Sequence, residues 1–156
     1  MIRSMEGGDK EAVLSLLKAT RMFTPGEVRV AEEVIDVYLS GPRQEDYDIV
    51  VIENPERQVA GYLSYGPTPL TDGTYDLYWM AVSPGEQGKG YGKKLIEWLE
   101  HKINERRGRM IIIETSSQPK YNPTRQFYLG LGYKEVSRIP DFYKPGDDRI
   151  TYAKYF

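Results

Sequence analysis

Cysteine is absent from all 156 residues, which excludes disulfides, thiolate metal sites and any acyl-transfer route that parks the acyl group on a cysteine sulfur. The one histidine, His101, cannot build an imidazole metal cluster, and its charged neighbours Glu100 and Lys102 mark it as an exposed helical residue. No apolar run reaches membrane-spanning length, and the segment Met1 to Gly7 lacks the apolar centre of a signal peptide. The expectation is a soluble, cytoplasmic protein with no membrane partner. A net charge of −2 supplies no global basic field, which disfavours nucleic acid as a partner. There is no internal repeat, low-complexity tract or long linker, and 40% apolar content is enough for a core, so residues 1–156 are expected to form one α/β domain.

Ile2 to Met5 reads as a strand, after which Asp9 is placed to cap a helix running to Ala19 with Val13, Leu16 and Leu17 on one face. Thr24-Pro25-Gly26-Glu27 has capping-box spacing, and Val28, Ala31, Ile35 and Tyr38 recur at helical period up to Gly41-Pro42. Asp48 to Ile52 and Gln58 to Leu63, joined at Asn54-Pro55, predict an antiparallel hairpin. Tyr75 to Val82 predicts a long strand stopped by Ser83-Pro84. A glycine-rich turn follows, then a helix to Arg107 with Tyr91, Leu95, Leu99 and Ile103 on one stripe. The continuous apolar run Met110 to Ile113 predicts a strand covered on both faces and parallel to the preceding one. A helix from Asn122-Pro123 to Gly130 or Gly132 and strands Tyr133 to Ile139 and Arg149 to Tyr155 complete the order β α α β β β α β α β β.

The turn Gln87-Gly88-Lys89-Gly90-Tyr91-Gly92 carries the chemistry. A strand, a glycine-rich turn and a helix together aim unpaired N–H groups and the positive end of a helix dipole at an anion. Gly88, Gly90 and Gly92 lack the Cβ atoms that would hold a phosphate off the backbone, and Lys89, Lys93 and Lys94 add local charge. A Walker loop fails here, because Tyr91 stands where its lysine is required and Gly92 where its hydroxyl is required. A dinucleotide fingerprint is weak, because Gly92 comes one place too early and the turn follows a mid-chain strand.

The pattern that does match is Q/R-x-x-G-x-G/A, met by Gln87, Gly90 and Gly92. With Trp79-Met80-Ala81-Val82-Ser83-Pro84 before it, and Asn122 and Phe127-Tyr128-Leu129-Gly130-Leu131-Gly132-Tyr133 after it, the half from Leu77 onward resembles the GNAT superfamily of N-acetyltransferases. Its motifs are most similar to the ribosomal-protein alanine N-acetyltransferase branch. The resemblance implies a mixed central sheet of about seven strands flanked by about four helices, with a splayed parallel strand pair at the coenzyme site. It also implies acetyl-CoA as co-substrate, held by the main chain of Met80 and Val82, by Gln87, Gly88, Lys89, Gly90, Tyr91, Gly92 and Lys93, and by Asn122, which the spacing also makes a helix cap.

Amide formation from a thioester needs a neutral amine, a place for the oxyanion and a proton for the leaving thiolate. Glu114, at the end of the apolar strand, is the carboxylate best placed as general base, with Asp76 in reserve. The resemblance puts Tyr128 in the general-acid position, and a backbone N–H near Val82 would serve the oxyanion. The acceptor is an amine, either a small molecule or a peptide N-terminus. Tyr62, Tyr65, Tyr75, Tyr78 and Tyr143 are candidates to flank an acceptor groove, and Asp141, Asp147 and Asp148 either favour a cationic acceptor or solvate a hairpin. The alternative function is a non-catalytic acyl-CoA sensor, and a homodimer through the C-terminal strand is left open.

Overall fold

The computed structural model describes residues 1–41 and 43–156. Seven strands form one sheet in the order β1-β2-β3-β4-β5-β7-β6, where β1 is Ile2–Ser4, β2 Asp48–Glu53, β3 Val59–Pro67, β4 Thr74–Val82, β5 Met110–Ser116, β6 Lys134–Lys144 and β7 Asp147–Tyr155. The helices are α1 (Lys10–Ala19), α2 (Pro25–Leu39), α3 (Tyr91–Glu105) and α4 (Asn122–Gly130). Among the described residues only β4 and β5 pair in parallel, because α3 carries the chain back across the sheet between them.

Helix periodicity decides which sheet face each helix covers. The α3 stripe Leu95, Leu99 and Ile103, joined by Ile96, is fully buried with Ile111, Ile113, Tyr128 and Tyr133 on one face. On the other, Val13, Leu16 and Leu17 of α1 and Val28, Ala31 and Ile35 of α2 pack against Ile49, Val51 and Tyr62. The capping box of α2 forms as its spacing predicts: the Thr24 hydroxyl accepts from the Glu27 amide, and the Thr24 amide donates to the Glu27 carboxylate, both at 3.1 Å. That helix ends at Leu39, and Pro42, taken with Gly41 as its stop, lies outside the described residues.

Four sequence expectations are corrected. Asp9 does not cap α1 with its side chain; its carboxylate instead takes both terminal nitrogens of Arg3, at 2.8 and 3.0 Å, and the Glu6 amide at 2.8 Å. In β5, Ile111 and Ile113 are buried while Met110 and Ile112 are only partly so, because α1 and α2 cover the β1 to β4 end of the sheet and leave one face of β5 open. The helix predicted to reach Arg107 stops at Glu105, and Arg106 turns back to pair with Asp48 at 3.0 Å. The last hairpin is longer than predicted, since β6 runs through Pro140 to Lys144; an edge strand tolerates a residue that cannot donate to the ladder.

Bonding to Arg3 and to the Glu6 amide holds the Asp9 carboxyl below its ordinary value. Replacing Asp9 with alanine should cost about 1–3 kcal/mol, a fall in Tm of roughly 3–10 °C. A carboxylate with a depressed folded-state pKa contributes stability that is present above its unfolded pKa and lost as pH falls through the folded one. The Tm gap between wild type and Asp9→Ala should therefore be full at neutral pH and close in acid, which thermal melts across a pH series would check.

Candidate active site

The parallel ladder runs from the Thr74–Met110 pair to the Leu77–Ile113 pair and stops. Beyond it, β4 stays on β3 as far as the Val82–Gly61 pair, and β5 stays on β7 as far as the Ser116–Arg149 pair. The strands splay, and the wedge between them opens into a cleft of about 1390 Å³. The Ser83 amide donates to the Ala60 carbonyl across β3 at 2.8 Å. Antiparallel alternation then turns the amide and carbonyl groups of Val82 and Met80 away from β3, toward the wedge. The Gln87 side chain donates to the Val82 carbonyl at 3.2 Å, tying the glycine-rich turn to the strand end.

Gly88 and Gly90 have φ of +81° and +84°, and a Cβ added to either would meet no atom within 4 Å. They are glycine because of backbone conformation, not because of packing. The first amide of α3 with a helical acceptor is that of Lys94, bonded to the Gly90 carbonyl at 3.1 Å, so those of Tyr91, Gly92 and Lys93 form the unpaired positive end of the helix. Gly92 is different, since an added Cβ would touch the Phe127 ring at 3.4 Å; here α3 packs against α4. Gln87, Gly88, Gly90, Tyr91, Gly92 and Lys93 all line the cleft. Lys89 is not among the lining residues; its ammonium is held by Glu86 at 2.9 Å, which raises its pKa.

Glu114 and Tyr128 line the same cleft but in unlike surroundings. Tyr128 is 4% exposed, and burial pushes its phenol above the ordinary value. The Glu114 side chain is 46% exposed, with the Arg149 guanidinium 3.8 Å away. Asp76 also lines the cleft and accepts from the Thr68 hydroxyl at 2.7 Å. Thr115 lines it too, with a buried hydroxyl oxygen that has no partner among the described residues.

Several sequence candidates lie elsewhere. Asn122 is the first residue of α4 rather than its cap, and its side-chain carbonyl accepts from the Arg125 guanidinium. Tyr62 and Tyr65 are buried in the core and Tyr75 packs against it, whereas Tyr78 and Tyr143 do line the cleft. Of the three hairpin aspartates only Asp147 lines it; Asp141 and Asp148 bond within the hairpin, to the Gly146 amide and to Arg138. His101 is exposed on α3 beside Glu105.

Sequence reasoning missed the wall formed by Met22, Phe23 and Glu27 on one side and by Ser116, Gln118 and Tyr121 on the other. Lys120 and Tyr121 both donate to the Met22 carbonyl, at 3.0 and 3.1 Å, and Phe23 meets Trp79 edge to face at 5.4 Å. The capping box at Thr24 and Glu27 was the only local signal near this wall.

Residues 45–135 match the acetyltransferase (GNAT) domain. A solved GNAT-family protein from Desulfovibrio desulfuricans is 38% identical, with a TM-score of 0.93 over 99% of this chain and 98% of that one. The ribosomal-protein-S18-alanine N-acetyltransferase of Escherichia coli shares the fold, with a TM-score of 0.76 and 18% identity over 99% of this chain and 92% of the other. Over 102 residues, 61% of this chain, the sequence is 30% identical to the L-2,4-diaminobutyric acid acetyltransferase of Oceanobacillus iheyensis, and it spans about half (52%) of that relative's length. With the splayed β4–β5 pair, the glycine turn and these similarities together, the chain belongs to the GNAT family of acetyltransferases.

Proposed function

We propose that this protein transfers acetyl from acetyl-CoA to a primary amine by direct attack, with Glu114 as general base and Tyr128 as general acid. The observation that carries the reading is one cleft that unites a strand end whose backbone faces away from its neighbour strand, a glycine turn at a helix N-terminus and two groups able to move protons. The coenzyme suits these residues. Its pyrophosphate matches the unpaired amides of the turn and of the first turn of α3, with Lys93 beside them. Its arm of alternating amides and methylenes suits the wedge-facing backbone of Met80 and Val82 and the unpartnered Thr115 hydroxyl.

The amine nitrogen attacks the thioester carbonyl carbon and the C–O π pair moves to oxygen, where a backbone N–H at the wedge stabilises it. Collapse re-forms the carbonyl and breaks the C–S bond. Glu114, directly or through water, takes the proton that the nitrogen sheds, and Tyr128 donates to the departing sulfur. A phenol is protonated at neutral pH at its ordinary pKa, and burial, which raises that of Tyr128, keeps it so.

Thiol release from acetyl-CoA across a panel of amino acids, polyamines, aminoglycosides and N-terminal peptides tests the function; coenzyme binding without release on any amine would leave a sensor. With an accepted amine, Tyr128→Phe and Glu114→Gln should each lower kcat by about 10²–10³ with little change in the KM for acetyl-CoA. Full turnover in either variant would remove that residue from the mechanism.

The two kinds of glycine should respond differently. Gly90→Ala forces a side chain onto a left-handed residue and should cost about 1–2 kcal/mol and weaken coenzyme binding. Gly92→Ala, inside the helix, should hold or raise Tm. Thermal melts with and without coenzyme A would separate the two.

A further inference from the structure

Asp147 opens β7 and is only 5% exposed, yet it forms part of the cleft wall. Its carboxylate accepts from the Ser116 hydroxyl and from the Gln118 side-chain amide, the latter at 2.9 Å. Both donors are neutral. Among the described residues no lysine, arginine or histidine makes an ion pair with it: Arg149 turns to Glu114, Arg138 to Asp148, and Lys120 to the Met22 carbonyl. Lys144, its partner across the hairpin, lines the cleft without bonding to it. A carboxylate withdrawn this far from water is costly without a counter-charge, and a ligand in the cleft is the source of cation this position leaves open.

The surroundings fit an ammonium group. Tyr121 and Tyr143 line the cleft here, and an ammonium is attracted to aromatic faces, as the Lys120 ammonium 5.3 Å from the centre of the Tyr121 ring shows; the second face of that ring and the Tyr143 ring are left for a ligand. Burial and then the Glu27 and Asp147 carboxylates push the Tyr121 phenol up to about 12. Tyr143 is raised by burial and then by Glu114, against the opposing Arg149, with Asp147 and Glu27 adding to the rise; Glu27, Glu114 and Asp147 all line the one cleft. Lys120 and Tyr121 tie the loop after β5 to the loop after α1 at the Met22 carbonyl, which suits a compact ligand better than an extended chain. A peptide whose one ammonium is the attacking amine would leave Asp147 without a cation.

We infer that the acceptor is a small molecule with two amino groups, one placed beside Glu114 for acetylation and the other held as an ammonium by Asp147 between the rings of Tyr121 and Tyr143. This rests on the acetyltransferase reading for the role of the first amine, but the binding of the second can be measured without turnover.

The test is calorimetric titration of the full chain, saturated with coenzyme A, with diamines of three to five carbons, each against the alkylamine of equal length. At least one diamine should bind roughly tenfold or more tightly than its monoamine, as one charge-assisted contact would give. Asp147→Asn should bring the pair within about twofold of each other. The Ser116 contact survives in that variant, and the Gln118 amide can rotate to accept from asparagine, so its coenzyme A affinity and Tm should be near wild type. If the variant does not fold, the wild-type comparison alone decides. Equal binding of diamine and monoamine by wild type, a preference that persists in Asp147→Asn, or tighter binding of an alanine-terminated tripeptide than of any diamine would each overturn the inference. Thiol release, measured in parallel, separates the two readings. Asp147-dependent diamine binding without release removes the transferase function and leaves this site standing, whereas release on monoamines as fast as on diamines does the reverse.

Discussion

Parallel pairing of β4 with β5 ends at Leu77 and Ile113, and at the next residue β4 loses register with β3. Leu77 faces Tyr65 and Trp79 faces Ser64, which leaves Tyr78 without a partner between them. An unmatched residue bends its strand and increases its twist. β5 has no such irregularity and follows β7 through Ser116, so two strands held to different neighbours diverge. The bulge is supported from behind: a Cβ on Gly66 would lie 2.0 Å from the Asp46 carbonyl oxygen and 3.2 Å from the Tyr78 ring, so only glycine allows this close packing. The cleft, the wedge-facing backbone of Met80 and Val82 and the separation of Glu114 from β4 all depend on that divergence. Backbone groups left unpaired there are stable only against water or a ligand.

Those parts of the fold that local periodicity encodes were legible in the sequence. The α3 stripe, the Thr24–Glu27 capping box and the parallel return at Met110 follow from spacing and β-branching, and the structure shows each. The glycine turn was legible for the same reason, since its conformational demand is local. The bulge at Tyr78 was not, because nothing within Tyr75 to Val82 distinguishes a bulged strand from a regular one. The choice depends on Gly66, in another strand. The face of β5 left open also escaped, because an apolar run says that a strand can be buried, not that a helix is there to bury it. For Asp147 the sequence leaves two readings open, a residue that favours a cationic acceptor or one that solvates a hairpin; only the pairing of β7 with β5 brings Ser116 and Gln118 onto its carboxylate.

The cleft has an electrostatic direction. At the turn after β4, the helix N-terminus of α3 and Lys93 present positive charge beside the one carboxylate of Glu86. Toward the β6–β7 hairpin the wall carries four carboxylates, Glu27, Asp76, Glu114 and Asp147, against two ammonium groups, Lys120 and Lys144. On the proposed reading, an anionic donor and a cationic acceptor would be drawn to opposite ends with their reacting groups toward the middle, which lowers the entropy cost of bringing two substrates together.

The same splay lets Glu114 and Tyr128, the proposed base and acid, reach one cleft from unlike environments. Ile113 is buried against the α3 face, and strand alternation sends Glu114 to the opposite face, where the α1–α2 loop supplies Met22 and Phe23. Tyr128 belongs to the α3 face. In a closed sheet these two side chains would be separated by a layer of paired backbone. With β4 and β5 apart, the wedge opens to both faces of the sheet, with buried Tyr128 on the side where the proposed mechanism releases sulfur and half-exposed Glu114 on the side where it deprotonates the amine. The chain has no cysteine to carry the acyl group, and for the direct transfer proposed above, in which both events occur on one ternary complex, an opening between the two faces is a suitable geometry.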